Sequence, residues 1–146
     1  MSKSNAMENS LMLLLFNNTD FALIGDAAGI LGSSADGNFY IGLHTGDPGE
    51  AGDQTTNEAA YTSYARVAVA RTVGGFTVAA NAVDNAALVT FPAATGGSET
   101  ITYFSIGTAS SGAGVLLYSG VLDASLAVSS GVTPEFAIGA LNVTED

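Results

Sequence analysis

Hydrophobic residues near the N-terminus are spaced as on one face of an α-helix. Over about residues 4–17 they recur at i, i+4, i+7 and i+8, the spacing of a helix that buries one side. These positions are Met7, Leu11, Leu14 and Leu15. Ser4 or Asn5 can cap the first turn, and Glu8 stands three residues after Asn5, as in a capping box. Because further apolar residues, including Phe16, widen this face, we expect the helix to be buried against its own sheet or a neighbouring chain.

After about residue 37 the pattern changes to short segments rich in Val, Ile, Thr, Tyr and Phe, which is typical of β-strands. The predicted strands are Phe39–Thr45, Tyr64–Thr72, Phe76–Ala80, Ala86–Phe91, Thr100–Thr108, Val115–Leu122, Leu126–Val128 and Glu135–Val143. Turn-forming sequences such as Asp47-Pro48-Gly49 separate them. Roughly eight short strands joined by such turns predict an all-β fold, a β-sandwich of jelly-roll type, with a short N-terminal α-helix.

The predicted elements divide the chain into three parts. Residues 1–20 form the N-terminal helix or arm, residues 21–37 form an insert, and residues 38–146 form the β-sandwich domain. The insert contains the sequence from Ile24 to Leu31, in which Gly and Ala alternate with apolar residues. We interpret it as a flexible segment or one that a partner orders.

The charge balance excludes several classes of partner. Three Lys and Arg residues oppose fourteen Asp and Glu residues, which leaves a net charge of −11, and Thr72–Asp146 contains no cation. Such a chain lacks the basic clusters that bind nucleic acid or anionic membranes. The longest apolar run, Leu11–Phe16, is far shorter than the ~20 residues of a membrane-spanning helix. Because only 12% of the residues are charged, we expect other protein to cover part of the surface.

The segment from His44 to Glu58 contains the most residues that could bind a metal ion or take part in catalysis. Asp47, Glu50 and Asp53 could supply carboxylate oxygens to a Ca²⁺ ion. Their spacing differs from that of an EF-hand, however, and Asp-Pro-Gly is typical of a tight turn. The favoured interpretation is therefore a solvated turn, with a weak calcium loop as the alternative.

His44 is the only histidine, and it ends an apolar strand. A Ser-His-Asp triad could use it, but the sequence contains no Gly-x-Ser-x-Gly elbow to present a nucleophile. The chain also has no Cys and no Trp, which excludes thiolate chemistry and a Trp platform for sugars. We therefore predict that His44 is a hydrogen-bonded structural residue, that the protein is not an enzyme, and that it needs no cofactor.

Five segments together resemble a group of small virion proteins of tailed phages. The first runs from Ile41 to Val67, with the Asp47-Pro48-Gly49 turn and the sequence Tyr64-Ala65-Arg66. The others follow in order and are Val89–Ala94, Ile101–Ile106, Leu116–Gly120 and Phe136–Val143. The resemblance covers about residues 4–146, and members of the group begin with a similar short helix. The insert is the main departure from the pattern.

The resemblance implies a structural protein rather than a catalyst, because such proteins are capsid decoration (cement) proteins or tail-fibre-like proteins. We expect a protein made in the host bacterial cytoplasm that binds the major capsid protein on the capsid exterior of the virion and stabilises the lattice. It would act as a homo-oligomer, a trimer or a dimer. The alternative is a tail or fibre component that contacts other tail proteins or a host glycan. A small hydrolase or lectin that uses the Asp47–Glu58 loop is a third hypothesis.

The N-terminal helix supplies the residues that we expect to anchor such a partner. They are Met7, Leu11, Leu14, Leu15 and Phe16. The competing interpretation is that these side chains only cover an open face of the sandwich. The sequence alone does not decide between the two.

Overall fold

The computed structural model describes residues 2–145, which contain one helix and nine strands. In chain order they are α1 (Asn5–Asn17), β1 (Asn38–His44), β2 (Val67–Ala70), β3 (Phe76–Ala79), β4 (Ala82–Asn85), β5 (Val89–Thr90), β6 (Ser98–Gly107), β7 (Leu116–Ser129), β8 (Glu135–Phe136) and β9 (Asn142–Thr144). The sheets have the orders β2-β1-β6-β7, β3-β4-β9 and β5-β8. The pairs β1–β6, β3–β4, β4–β9 and β6–β7 are antiparallel. The predicted class is confirmed: the chain is mainly β with a short N-terminal helix, consistent with an all-β sandwich. The jelly-roll connectivity stays a prediction.

The chain folds into two compact units. The first consists of the residues up to Asn38, Ala70–Leu88 and the residues from Phe136 onward; the second consists of Phe39–Val69 and Val89–Glu135. The first unit contains α1 and the β3-β4-β9 sheet, and the second contains most of the four-stranded sheet. No helix within residues 2–145 has the length and hydropathy needed to cross a membrane.

Helix α1 begins and ends close to where the sequence predicts. The Ser4 hydroxyl oxygen accepts a hydrogen bond from the Met7 N–H at 3.3 Å, so Ser4 rather than Asn5 is the N-cap. The helix ends at Asn18, which adopts the left-handed conformation with φ 51°.

The buried face of α1 differs from the predicted one. Its buried residues are Glu8, Met12 and Phe16, which follow the i, i+4, i+8 spacing of a single stripe. The Phe16 ring packs edge-to-face on Phe76 of β3, with ring centroids 5.0 Å apart. The Asn17 amide also donates to the Phe76 carbonyl at 2.9 Å. These contacts turn the stripe that contains Phe16 toward the sheet.

Strand β4 is the central strand of its sheet and was not predicted. It follows β3 through a two-residue turn in which Ala80 has φ 57°, and Ala79 pairs with Ala82. Val83 and Asn85 are both 1% exposed. The Asn85 amide donates to the carbonyls of Ala87 and Ala137 at 2.8 Å each, and its oxygen accepts from the Leu141 N–H. The polar side chain is therefore fully hydrogen-bonded inside the unit.

Strand β7 forms one edge of the four-stranded sheet and joins two predicted strands into one. Its pairing with β6 passes from Ile101–Leu126 to Tyr103–Val121, so β7 bulges between these positions. The bulge explains why the sequence pattern reads as two strands. The predicted strand Glu135–Val143 is instead divided, because the chain turns at Gly139, with φ 74°, between β8 and β9.

Candidate functional site

The acidic segment after β1 is a hydrogen-bonded turn. An Asp47 carboxylate oxygen accepts from the Gly49 N–H at 2.8 Å, and Gly49 has φ 69°. The Asn57 amide donates to the Asp47 carbonyl at 2.9 Å, and the Thr45 N–H donates to the Asn57 carbonyl at 2.8 Å. These bonds close the loop on itself, as expected of the solvated-turn interpretation.

The candidate calcium residues are not brought together. The Asp53 carboxylate is hydrogen-bonded to a residue close in sequence. One of its oxygens accepts from the Thr55 N–H at 2.8 Å and from the Thr55 hydroxyl at 2.6 Å. These hydrogen bonds lower the pKa of Asp53 below its ordinary value. Within residues 2–145 no group of three or more His, Asp or Glu side chains is placed to hold a metal ion. The geometry therefore does not support Asp47, Glu50 and Asp53 as a calcium loop.

Calcium is accordingly expected to leave the stability of the protein unchanged. Millimolar CaCl₂ should not raise the melting temperature relative to the same sample in EDTA, because a ligand that binds only the folded state would raise it. Differential scanning fluorimetry checks this. A calcium-dependent rise that Asp53→Asn abolishes would restore the calcium loop.

Asp47 and Glu50 do share one surface feature with the edge strand β7. They line an open depression of about 470 Å³ together with Gly49 and Leu116–Ser119. The depression is wide and polar on the loop side. It is the place where a small ligand of the third hypothesis, a glycan, would have to bind.

The centre of the second unit is an ion pair that the sequence analysis did not identify as a pair. Arg66 Nε donates to Glu58 Oε1 at 2.6 Å, and Arg66 Nη2 donates to Glu58 Oε2 at 2.8 Å. The Tyr64 hydroxyl donates to Glu58 Oε1 at 3.1 Å and accepts from the Leu43 N–H at 3.1 Å. Burial raises the pKa of Tyr64, so that its hydroxyl stays protonated.

Arg66 also forms hydrogen bonds to a loop that is distant in sequence. Its Nη1 and Nη2 atoms donate to the carbonyls of Ala109 and Gly112 at 2.9 and 2.8 Å. The side chain is 2% exposed, so every guanidinium bond is made inside the protein. Arg66, paired with Glu58, therefore holds the 109–112 loop in place. The sequence signal for this role was that Arg66 directly precedes the alternating residues Val67–Ala70.

His44 lies in the core with no exposed surface. Its Nδ1 atom is 2.9 Å from the Thr56 carbonyl oxygen, and its Nε2 atom is 2.7 Å from Ser105 Oγ. Because a carbonyl oxygen only accepts, Nδ1 carries the proton and Nε2 accepts from the Ser105 hydroxyl. Ser105 is also fully buried, so no substrate reaches this pair. The prediction of a hydrogen-bonded structural histidine is confirmed.

The buried imidazole predicts a pH dependence of stability. Burial lowers the pKa of His44 below its ordinary value of 6.5, although the Thr56 carbonyl acts in the opposite direction. The unfolded chain therefore takes up this proton more readily than the folded one. The free energy of unfolding should fall as the pH is lowered through 6.5, by about 1.4 kcal/mol per pH unit until the folded-state pKa is reached.

Urea unfolding at pH 7 and pH 5 measures this loss. His44 is the only histidine, and most carboxylates titrate below this window. The variant His44→Gln should be less stable overall but should show a smaller difference between the two pH values. Equal pH slopes in both proteins would contradict the prediction.

The five residues expected to anchor a partner differ in exposure. Met7 is 36% exposed, whereas Phe16 is fully buried; Leu11, Leu14 and Leu15 are half-buried. Phe16 thus packs inside its own unit rather than being available on the surface. The proposed anchoring role of the helix is tested by no contact in the structure and stays a prediction.

The insert, residues 21–37, is hydrogen-bonded at its base. The Asn18 side chain donates to the Ser33 carbonyl at 2.9 Å and accepts from the Ser33 N–H at 2.6 Å. Phe21 and Ile30 exchange two backbone hydrogen bonds of 2.8 and 2.9 Å. At the tip, an Asp26 carboxylate oxygen accepts from the N–H groups of Ala28 and Gly29. The insert is therefore a closed loop with its own turn.

Arg71 joins the insert to the end of α1. Its Nε and Nη2 atoms donate to the carbonyls of Leu15 and Leu14 at 2.5 and 2.8 Å. Its Nη1 atom donates to the Ser33 hydroxyl at 3.3 Å and to the Asp36 carbonyl at 3.2 Å. A cation at the C-terminal end of a helix also complements the helix dipole. Together with the bonds between Asn18 and Ser33, these contacts fix the insert to the C-terminal end of the helix.

Residues 2–144 match the family model described as "Podophage GP4 fiber I protein gp80". A search of the curated proteins finds no match.

Proposed function

The chain belongs to the podophage GP4 fiber I protein gp80 family, and from this premise we propose that it is a structural subunit of a phage tail fibre. The predicted group was small virion proteins of tailed phages that are capsid decoration (cement) or tail-fibre-like proteins. The match, which spans nearly the whole chain, confirms a small fibre-like virion protein of a tailed phage. The protein is therefore a structural component of a phage virion. Its place on the fibre is the proposal.

The family match is the observation that carries the placement on a fibre, and exposed apolar surface supports assembly with other subunits. Among residues 2–145, ten large hydrophobic side chains are exposed, and Leu23 and Val73 are each 80% exposed. The polar groups around Glu58 and His44, by contrast, bond to one another inside the protein. A surface of this kind favours a protein that works by binding other subunits. We propose a closed homo-oligomer, a dimer or a trimer, as its assembled form.

Decoration of the capsid exterior is the second candidate, because the group that the sequence resembles includes both decoration and tail-fibre-like proteins. A decoration protein would bind the major capsid protein and stabilise the assembled lattice by mass action, since it binds that lattice alone. The surface needed for this role is the same exposed apolar one. Location in the virion therefore distinguishes the two candidates better than binding alone.

Cryo-electron microscopy of virions in which the protein carries a gold label tests the proposal. We expect the label at the tail. Label over the capsid facets would overturn the fibre proposal in favour of decoration. Sedimentation with capsids that lack the protein is the independent measurement: saturable binding and a raised capsid melting temperature support decoration, and no binding supports the fibre.

A further inference from the structure

The insert carries four of the ten exposed large hydrophobic side chains found within residues 2–145. Leu23 and Leu31 are 80% and 63% exposed, and Ile24 and Ile30 are 39% and 46% exposed. Single exposed apolar residues are ordinary, whereas several on one short loop are typical of a surface that binds protein.

The insert is also prepared for binding by its own hydrogen bonds. Asn18 and Arg71 hold its base, and the Asp26 carboxylate closes its tip. A loop that is already ordered loses less conformational entropy when it binds. The apolar side chains are therefore presented on a fixed support.

Charge indicates which kind of partner fits this surface. Asp20, Asp26 and Asp36 lie in or beside the insert, and residues 18–37 contain no Lys or Arg. Lys3 pairs with Glu145 at 3.1 Å and Arg66 pairs with Glu58. Arg71 reaches only the base of the insert, where it bonds Ser33, Asp36 and the end of α1. The charged side chains of the insert itself are thus all negative, and Arg71 is the cation that the structure bonds to its base.

We propose that the insert docks onto an apolar patch rimmed by Lys and Arg on a different virion protein. This inference rests on the proposed function in one respect, namely that the partner is a virion component. A second copy docked insert against insert would place the same carboxylates against each other, so the proposed homo-oligomer would use another surface. An anionic membrane would repel the insert for the same reason.

Incorporation into virions tests the apolar part of the proposal. Phage lacking the gene is grown in cells that supply wild-type protein, Leu23→Asp/Leu31→Asp or Val73→Asp, and copies per virion are counted by quantitative mass spectrometry. The double variant should lose incorporation by about tenfold or more. Val73→Asp is the matched control, because Val73 is as exposed as Leu23 and lies in the same unit but outside the insert.

Ser34 allows the charge to be tested separately. It is exposed and lies within the insert. Ser34→Lys should release the protein from virions at lower NaCl concentration than wild type, and Ser34→Glu at the same or a higher concentration. If Ser34→Glu were released at a lower NaCl concentration than Ser34→Lys, the partner's patch would not be rimmed by Lys and Arg.

The remaining outcomes separate this inference from the proposed function. Equal incorporation of the double variant and Val73→Asp overturns docking through the insert and leaves the fibre proposal standing. Label on the capsid overturns the fibre proposal and leaves the docking inference standing. A wild-type oligomer in sedimentation equilibrium that Leu23→Asp/Leu31→Asp dissolves would show that the occupant is a second copy. Binding of wild-type protein to anionic vesicles would show a membrane instead.

Discussion

Replacing Arg66 with Met is expected to lower the free energy of unfolding by about 3 kcal/mol. The substitution leaves the Glu58 carboxylate without its partner and frees the carbonyls of Ala109 and Gly112. The value lies at the lower end for a buried ion pair, because the Glu58 side chain keeps 18% exposure. Urea unfolding at neutral pH measures it.

Two further variants make this expectation specific. Lys3→Met removes the ion pair of Lys3 with Glu145, in which the side chains are 31% and 24% exposed, and should cost at most about 1 kcal/mol. Combining Arg66→Met with Glu58→Gln removes both charges and should recover part of the loss. If Arg66→Met were as mild as Lys3→Met, the ion pair would not stabilise the 109–112 loop as described.

Replacing Phe16 with Ala is expected to cost about 3–5 kcal/mol, the range for removing a buried aromatic ring. Phe16 has no exposed surface and packs against Phe76, so its removal leaves a cavity between α1 and β3. Thermal and urea unfolding, followed by circular dichroism, measure the loss. Met7→Ala on the same helix is the control and should stay within about 1 kcal/mol, because Met7 is partly exposed.

This pair of variants also separates packing from partner binding. If α1 anchors a partner, Met7→Asp should reduce incorporation into virions while the isolated protein stays as stable as wild type. If the helix only covers its own sheet, incorporation should be unchanged. A mild effect of Phe16→Ala on stability would contradict the packing of α1 on β3.

The fold class and the approximate bounds of the helix and of several strands could be predicted from the sequence. The bounds of α1 and of β1, β3 and β6 lie within two residues of the prediction at each end. These segments combine strong local preferences with clear turn or cap signals at their ends. The Ser4 cap and the Asp47-Pro48-Gly49 turn are local in origin, since their hydrogen bonds join neighbours in sequence.

The errors arise where contacts distant in sequence decide the outcome. Strand β4 was missed because its turn uses Ala80 in a left-handed conformation, and because Asn85, a poor strand former, is stabilised by groups more than fifty residues away. The buried face of α1 was misassigned because the residues of the run Leu11–Phe16 are apolar on every side of the helix. Only the position of Phe76 determines which of them turns inward.

In the candidate site, too, the local features could be predicted, whereas the contacts between residues distant in sequence could not. That His44 is structural and that Asp47 lies in a turn could be predicted, because both follow from local sequence. The pairing of Arg66 with Glu58 could not, since it depends on how the loop folds back on β2 and on carbonyls at positions 109 and 112. The exposure of Leu23 and Leu31 on a closed loop also required the structure.

The placement of the cations makes the folded chain a poor substrate for trypsin. Trypsin cleaves after Lys and Arg, and Thr72–Asp146 offers it no site at all. Arg66 is buried, and Arg71 is bonded to the end of α1. Cleavage at these two residues therefore requires local opening, and its rate reports the population of opened molecules. A single protease can thus follow the opening of both units, with Arg66 reporting on the second and Arg71 on the first.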